Sequence, residues 1–261
     1  MQSAMQDLPK AVVPSVLKAA RLLDVVAGSR EALSLGELAA RLALPKSSTL
    51  SLCTSLTLSG LLTRFDDGTY HLGTHLVDLA HAYLSRTDLT KEFEQALDSL
   101  KVFNEDGAVL AVRDGTHVVY VACRNGNQPV GVTYRIGMRL PVSCTATGKA
   151  LISTLSDTEV RQLYRGQRLP QLTPKSCRSI AALLEDIHDV RRRGYAMDNE
   201  ETRNGMCCLG VPIIDPVTGQ AMAAVAVSML KGTGTLRKRE LAVAQLMKLA
   251  AMLLHHLKLH R

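Results

Sequence analysis

The stretch SLGELAARLALPKSSTLSLCTSLTLSG, Ser34 to Gly60, reads as two helices joined by the three-residue turn Ala43-Leu44-Pro45. Ser34 can cap the first helix with its side-chain oxygen, and Glu37 three residues on completes a capping box. Leu35, Leu38, Ala39 and Leu42 share one face of that helix. Pro45 suits the start of the second, where its missing N–H would have no partner anyway. In that second helix, roughly Lys46–Ser59, Thr49, Leu52, Cys53 and Leu56 fall at i, i+3, i+4 and i+7 and form a buried stripe. Ser47, Ser48, Leu50, Ser51 and Thr54 then face outward, and Gly60 stops the helix.

Upstream, Ser15–Ala27 is an amphipathic helix closed by Gly28. Downstream, Leu61–Phe65 and Thr69–Leu72 flank Asp66-Asp67-Gly68, a strong hairpin signal. Three helices followed by a hairpin is the order of a winged helix-turn-helix. Its small polar outer face suits a major groove, with Lys46 at a phosphate, Ser47, Ser48, Ser51 and Thr54 at phosphates or base edges, and Leu50 at a thymine methyl. The competing reading is a plain three-helix packing unit; the hairpin favours DNA binding.

The whole chain is compatible with this. Its 261 residues suffice for two domains, and 46% hydrophobic content supports a packed core. No apolar run is long enough to span a membrane, and the first residues lack the pattern of a secretory signal. Six cysteines without a CxxC pair suggest reduced, mostly buried thiols, hence a cytoplasmic location. The net charge of +7 invites a nucleic-acid reading, yet residues 1–73 hold seven basic against six acidic side chains, so charge alone decides nothing.

Thr74 can cap a fourth helix and Asp88 a fifth, which carries Leu89, Phe93, Ala96, Leu97 and Leu100. Beyond them, Val109–Arg113 and His117–Ala122 read as a strand pair. Thr145–Thr154, Asp157–Tyr164 and Ser179–Arg193 read as helices, Cys208–Ile214 and Ala221–Ser228 as buried strands, and Arg237–Leu257 as a long final helix. The expected fold class is α+β: an all-α winged helix-turn-helix domain, a linker helix, and a C-terminal domain with a mixed sheet covered by helices. The expected divisions are a flexible terminus over 1–13, the DNA-binding domain over 14–73, the linker over 74–90 and the second domain over 91–261.

Ser143 to Ala150 contains Gly148-Lys149 at a helix start, but a P-loop needs Gly at position 143 and Ser or Thr at 150. A small-residue loop feeding helix N–H groups still suits a carboxylate. Asp198, Glu200 and Glu201 precede a strand bearing Cys207-Cys208; the plain reading is a solvated loop and two core thiols. No GxSxG elbow, HExxH or paired Cys/His spacing occurs, so no catalytic residue, metal site or cofactor is expected. His256 and His260, four apart at the end of the last helix, read as a solvated terminus.

Three segments of the first part resemble the N-terminal half of IclR-family regulators: Ser15-Val16-Leu17-Lys18-Ala19, Leu38 to Ser47 (LAARLALPKS), and Tyr70-His71-Leu72-Gly73. Arg139-Leu140-Pro141, Ala146 to Leu151 (ATGKAL), Arg193-Gly194-Tyr195-Ala196, and Asp198 to Cys208 with Pro212 resemble the C-terminal half. The resemblance covers about residues 14–258. It implies a homodimer, or a dimer of dimers, binding a double-stranded DNA operator, with a GAF-like domain that takes a small organic acid effector. The pocket it implies is lined by Ala146, Thr147, Gly148, Asp198, Cys208, Ala226 and Ser228. Loop N–H groups with Thr147 and Ser228 would hold a carboxylate there, while Cys208 and Ala226 border an apolar end.

Two departures from the family pattern bear on function. Ser51 stands where a basic residue is usual, so operator contacts lean more on the wing and Arg64. Ala226 and Ser143 stand where Ser and His are often found, making the pocket less polar and suited to an aromatic or bulky carboxylate. A thiol redox sensor using Cys207, Cys208 or Cys144 stays open at this point, as does a regulator that binds DNA without a ligand. An enzyme has no visible nucleophile or metal site to support it.

Overall fold

The computed structural model describes residues 12–85, 89–127, 133–233 and 235–259, and divides into two units at Tyr83/Leu84. The expected flexible terminus lies almost wholly outside the described residues, as do Asp88 and the side chains of His256 and His260.

The first unit runs α1 (Pro14–Ala27), β1 (Leu33–Ser34), α2 (Leu35–Leu42), α3 (Lys46–Leu58), β2 (Leu62–Arg64) and β3 (Thr69–Leu72). Ser34 opens α2 through the expected capping box. Its hydroxyl oxygen accepts from Glu37 N–H at 3.3 Å, and Glu37 Oε2 accepts from Ser34 N–H at 2.8 Å. Such reciprocal caps contribute about 1 kcal/mol. Ala43 ends α2 in the left-handed region, with φ at 54°, and so turns the chain into α3. Thr49, Cys53 and Leu56 are buried on the inner face of α3, and the apolar core also takes Leu22, Leu33, Leu38, Leu62 and Tyr70. Two residues of β1 pair with β3, Leu33 opposite Tyr70, making a three-stranded sheet in the order β1-β3-β2. That strand is too short to show a period, and the sequence reading has no counterpart for it.

Helix α4 (His75–Ser85) crosses the division between the units. The second unit continues with α5 (Leu89–Leu100), β4 (Gly107–Asp114), β5 (His117–Arg124), β6 (Arg139–Pro141), α6 (Ala146–Ile152), α7 (Asp157–Leu163) and α8 (Ile180–Arg193). It closes with β7 (Ala196–Asn199), β8 (Met206–Ile214), β9 (Ala221–Leu230) and α9 (Leu236–Leu259). The strands form one six-stranded sheet, β6-β5-β4-β9-β8-β7, in which every described pairing is antiparallel.

Two-residue alternation divides the sheet between two cores. Ala108, Leu110, Leu209, Val225 and Val227 meet Phe93 and Leu97 of α5 and Leu246, Leu249 and Leu253 of α9. Val109, Ala111, Ala224 and Ala226 face the layer of Ala150 and Leu151 from α6 and Leu183 and Ile187 from α8. Full burial of each large aliphatic or aromatic side chain is worth roughly 1.5–3 kcal/mol. Helix α6 lies unusually close to the sheet. A Cβ on Gly210 would stand 2.8 Å from the Ala146 carbonyl carbon, and one on Gly148 would stand 2.3 Å from the Val142 oxygen.

The segment from Asp198 differs from the solvated loop read in sequence. Asp198 lies within β7, opposite Cys208, and both Asp198 and Glu201 are buried. A four-residue edge strand, Ala-Met-Asp-Asn, carries too little alternation to be seen beforehand. No helix among the described residues is long and apolar enough to cross a membrane.

Candidate functional site

Between the sheet and α6 the second unit encloses a cavity of about 310 Å³. This is at the lower end of the few hundred Å³ common for small-molecule pockets. Ala146 and Thr147 enter from the start of α6, Asp198 from β7, Cys208 from β8, and Ala226 and Ser228 from β9. These six residues, four separate segments of chain, are brought to one space. Val109, Tyr120, Tyr134, Met138, Leu140 and Leu172 supply most of the apolar wall, and Thr145, Thr202, Arg203 and Met206 complete it.

Two expected features are not found at the cavity. Gly148 does not line it; its N–H donates to Thr145 Oγ1 at 3.0 Å and its missing Cβ admits Val142 instead. Gly148 is thus a packing residue, needed for close approach rather than for a ligand. Ser143 is fully buried away from the cavity beside Cys144 and Tyr164, so its identity does not change the polarity of the pocket.

The polar groups at the cavity differ in how far they are committed. Asp198 Oδ1 accepts from the N–H groups of Glu201 at 2.6 Å and Thr202 at 3.2 Å, and Oδ2 accepts from the Thr202 hydroxyl. Burial nonetheless pushes its carboxyl above the usual carboxylate range. Ser228 Oγ donates to Cys208 Sγ at 3.2 Å, with the Tyr134 phenol beside it. The Thr147 hydroxyl is buried without a hydrogen bond of good geometry, next to the Tyr120 phenol. A buried hydroxyl left this way costs about 1–3 kcal/mol. The two phenols, ring centroids 5.6 Å apart and edge to face, are raised by burial and remain neutral donors.

Behind this site, Lys149 is fully buried, its Nζ 2.6 Å from Asp186 Oδ2 and 2.6 Å from Glu201 Oε1. Burial alone would lower the ammonium, but the carboxylates of Glu201 and Asp186 hold it above its ordinary value. The Gly-Lys pair therefore serves packing and an internal ion cluster, not phosphate binding. Cys177 Sγ, Asp186 and Glu201 offer three metal-ligand atoms within 4.8 Å of one another, but the Lys149 ammonium is already bonded to both carboxylates.

All six cysteines are free. Cys207 and Cys208 are strand neighbours on opposite faces of β8, Cys208 at the cavity and Cys207 with its back to it. Burial raises every one of the six thiols, Cys177 to about 11 and Cys208 well above its usual value. Reactive thiols are lowered rather than raised, so none is activated in this geometry.

In the first unit Lys46, Ser47, Ser48, Leu50, Ser51 and Thr54 are all exposed on one side of α3. Ser51 Oγ already donates to the Ser47 carbonyl at 3.1 Å and Ser55 Oγ to that of Ser51 at 2.9 Å. The outward groups of Ser51 are then its lone pairs, which can accept from a base amino group. Arg64 stands exposed at the end of β2. The wing tip is held by Asp67, which accepts from the N–H and hydroxyl of Thr69 at 2.9 and 2.6 Å, and by Gly68 at φ +82°.

Tyr120, Tyr134, Thr202 and Arg203 are cavity residues that the sequence reading does not contain. The tyrosines sit on a strand and on the segment before β6, where no local pattern marks the cavity-facing side. Arg203 is one exposed charge in a turn.

Residues 15–65 match the IclR helix-turn-helix domain, and residues 81–254 match the C-terminal domain of bacterial IclR transcriptional regulators. The HTH-type transcriptional regulator XynR of Escherichia coli is 31% identical over 77% of this chain and 81% of its own length. The crystal structure of the repressor BlcR from Agobacterium tumefaciens superposes with a TM-score of 0.61 at 38% identity, covering 94% of this chain and 98% of that one. An IclR homologue from Microbacterium hydrocarbonoxydans, crystallised with 4-hydroxybenzoate, shares the fold with a TM-score of 0.80 at 21% identity. It covers 94% of this chain and 99% of that one.

Proposed function

Since the chain belongs to the IclR family of bacterial transcriptional regulators, we propose that it is an operator-binding regulator whose grip on DNA responds to a small organic acid in the cavity of the second unit. The observation that carries the ligand half of this reading is the convergence of Ala146, Thr147, Asp198, Cys208, Ala226 and Ser228 on one enclosed space with aromatic and aliphatic walls. The apolar walls and neutral phenols favour an aromatic or similarly bulky carboxylate. The fold neighbour crystallised with 4-hydroxybenzoate makes that acid a sensible first probe.

On the DNA side, the outer face of α3 lies in the major groove, Lys46 meets a phosphate at the helix start, Ser47, Ser48, Ser51 and Thr54 contact backbone or base edges, and Leu50 packs on a thymine methyl. Arg64 of the wing reaches an adjacent phosphate. Two protomers occupy half-sites about one helical turn (~34 Å) or its multiples apart. The acid acts by binding one arrangement of the protein better than another, so the operator and ligand equilibria are linked and reciprocal. An acid with equal affinity for both arrangements would shift nothing. The protein works in the cytoplasm and catalyses no reaction.

Selection of genomic fragments by the purified protein, without and with a panel of aromatic and aliphatic acids, tests this. A palindromic site whose occupancy changes with one acid is the expected result. No enrichment over competitor DNA at moderate salt refutes the operator reading. In Thr147→Val the expected loss is in the acid's effect on the operator complex, read separately from the affinity of the ligand-free protein. Loss of both together refutes the separation of roles.

A further inference from the structure

Of the described residues around the cavity, Asp198 and Arg203 alone carry a formal charge. They are in opposite states. Both carboxyl oxygens of Asp198 are engaged by the backbone and side chain of residues 201–202. The Arg203 side chain is exposed at the cavity, and no hydrogen bond or ion pair engages it among the described residues. Its backbone is nevertheless ordered. The Arg203 carbonyl accepts from Met206 N–H at 3.3 Å, the Thr202 N–H is held by Asp198, and the Gly205 N–H donates to Glu200 Oε1 at 2.9 Å. A fixed turn thus presents at the mouth a guanidinium with no carboxylate partner among the described residues.

The enclosed end has no cation of its own, although Arg203 is near enough to act on the Tyr134 phenol. It offers the Thr147 hydroxyl, which has no hydrogen bond of good geometry and lies beside the Tyr120 phenol, Ser228 bonded to Cys208, and the phenols of Tyr120 and Tyr134. The buried Lys149 is committed to Asp186 and Glu201 and does not line the cavity. A carboxylate placed at the enclosed end would be stripped of water beside Asp198 without a counter-charge, which is expensive. At the mouth the same group keeps part of its hydration and meets a planar fork of donors that fits it. A neutral hydroxyl or carbonyl at the enclosed end would instead satisfy Thr147 at no electrostatic cost.

We propose that Arg203 is the anion anchor of the cavity, and that the ligand is a monoanion whose carboxylate sits at the mouth while a neutral hydroxyl or carbonyl group reaches Thr147. This rests on the reading of the cavity as an organic-acid site. It reverses the orientation suggested by the small-residue loop at Ala146, and makes Arg203 the residue that selects acids over neutral analogues.

Calorimetric titration of the full chain tests it with 4-hydroxyphenylacetate and 6-hydroxyhexanoate, each beside its primary amide and its analogue lacking the hydroxyl. The wild-type protein is expected to prefer acid over amide by about ten-fold or more. Arg203→Gln should abolish that preference and keep the preference for the hydroxyl, whereas Arg203→Lys should retain part of the acid preference. Thr147→Val should do the reverse of Arg203→Gln. Melting temperatures of the ligand-free variants establish that each is folded. An undiminished acid preference in Arg203→Gln, or its loss in Thr147→Val, overturns the anchor while the acid-site reading stands. If the wild-type protein binds none of the acids, the acid-site reading itself falls, and the anchor with it.

Discussion

Replacing Lys149 with Met isolates the energetic role of the buried ion cluster. The wild-type ammonium has no exposure and bonds two carboxylates at 2.6 Å; the side chains of Asp186 and Glu201 are 24% and 10% exposed. Met fills most of the volume but leaves both acids without their main partner. Removing one member of a buried pair costs about 3–5 kcal/mol, mostly as the penalty of an uncompensated charge. Asp186 keeps Arg193 at 3.6 Å and some water, which places the expected loss near the lower end, about 3 kcal/mol. Neutralising the more buried acid as well, in Lys149→Met with Glu201→Gln, should recover about half of it. Urea unfolding followed by near-ultraviolet circular dichroism is suitable, because the protein has no Trp and four of its six tyrosines (Tyr120, Tyr134, Tyr164, Tyr195) lie in the second unit. At an m-value of about 2 kcal/mol/M the single variant's midpoint falls by about 1.5 M. The gap to wild type should narrow on acidification: burial already raises the Glu201 carboxyl, losing Lys149 removes a group that lowers it, and the added penalty fades as it takes up a proton. In the wild type the Lys149 contribution runs the other way: it is complete below the ordinary lysine range and is lost only as the pH rises through the raised folded value. A single-variant loss under about 1 kcal/mol, or a double variant no more stable than the single, refutes the claim that the cluster is held by this ion pairing.

Gly148→Ala should lower stability by about 2 kcal/mol or more, because the added carbon meets the Val142 oxygen at 2.3 Å and backbone must move; an unchanged melting temperature would show that α6 is free to shift. Glu200 is held by Lys175, Lys231 and the Gly205 N–H, which depress its carboxyl to about 2. Its contribution is therefore present above the unfolded glutamate range and is lost as the pH falls toward that value. Glu200→Gln should flatten the acid limb of a melting-temperature profile between about pH 5 and 2, and a limb parallel to wild type would dismiss the assignment.

The helices were legible because each carries its own period and boundary: Ser34 with Glu37, Pro45 and Gly60 mark ends that need no tertiary information. The hairpin around Asp67-Gly68 was legible for the same reason. Strands β1, β6 and β7, of two, three and four residues, were not, since their existence depends on partners distant in sequence. The cavity was legible in part. Thr147, Cys208 and Ser228 came from the resemblance to the family, whereas Tyr120, Tyr134 and Arg203 reach it through the registry of the sheet and the path of one turn. Gly148 and Ser143 mark the opposite limit. The family pattern drew them into the pocket, but Gly148 is required for close packing on Val142 and Ser143 is buried beside Cys144 and Tyr164.

The alternation of the central strands has a consequence for how such a molecule can diversify. Val109, Cys208, Ala226 and Ser228 face the cavity, and Leu110, Leu209, Val225 and Val227 face the layer of α5 and α9. On β4, β8 and β9, therefore, a few alternate codons write the cavity wall, and the codons between them write the scaffold. A lineage can reshape the cavity by editing the first set alone, leaving the second as an unaltered inheritance.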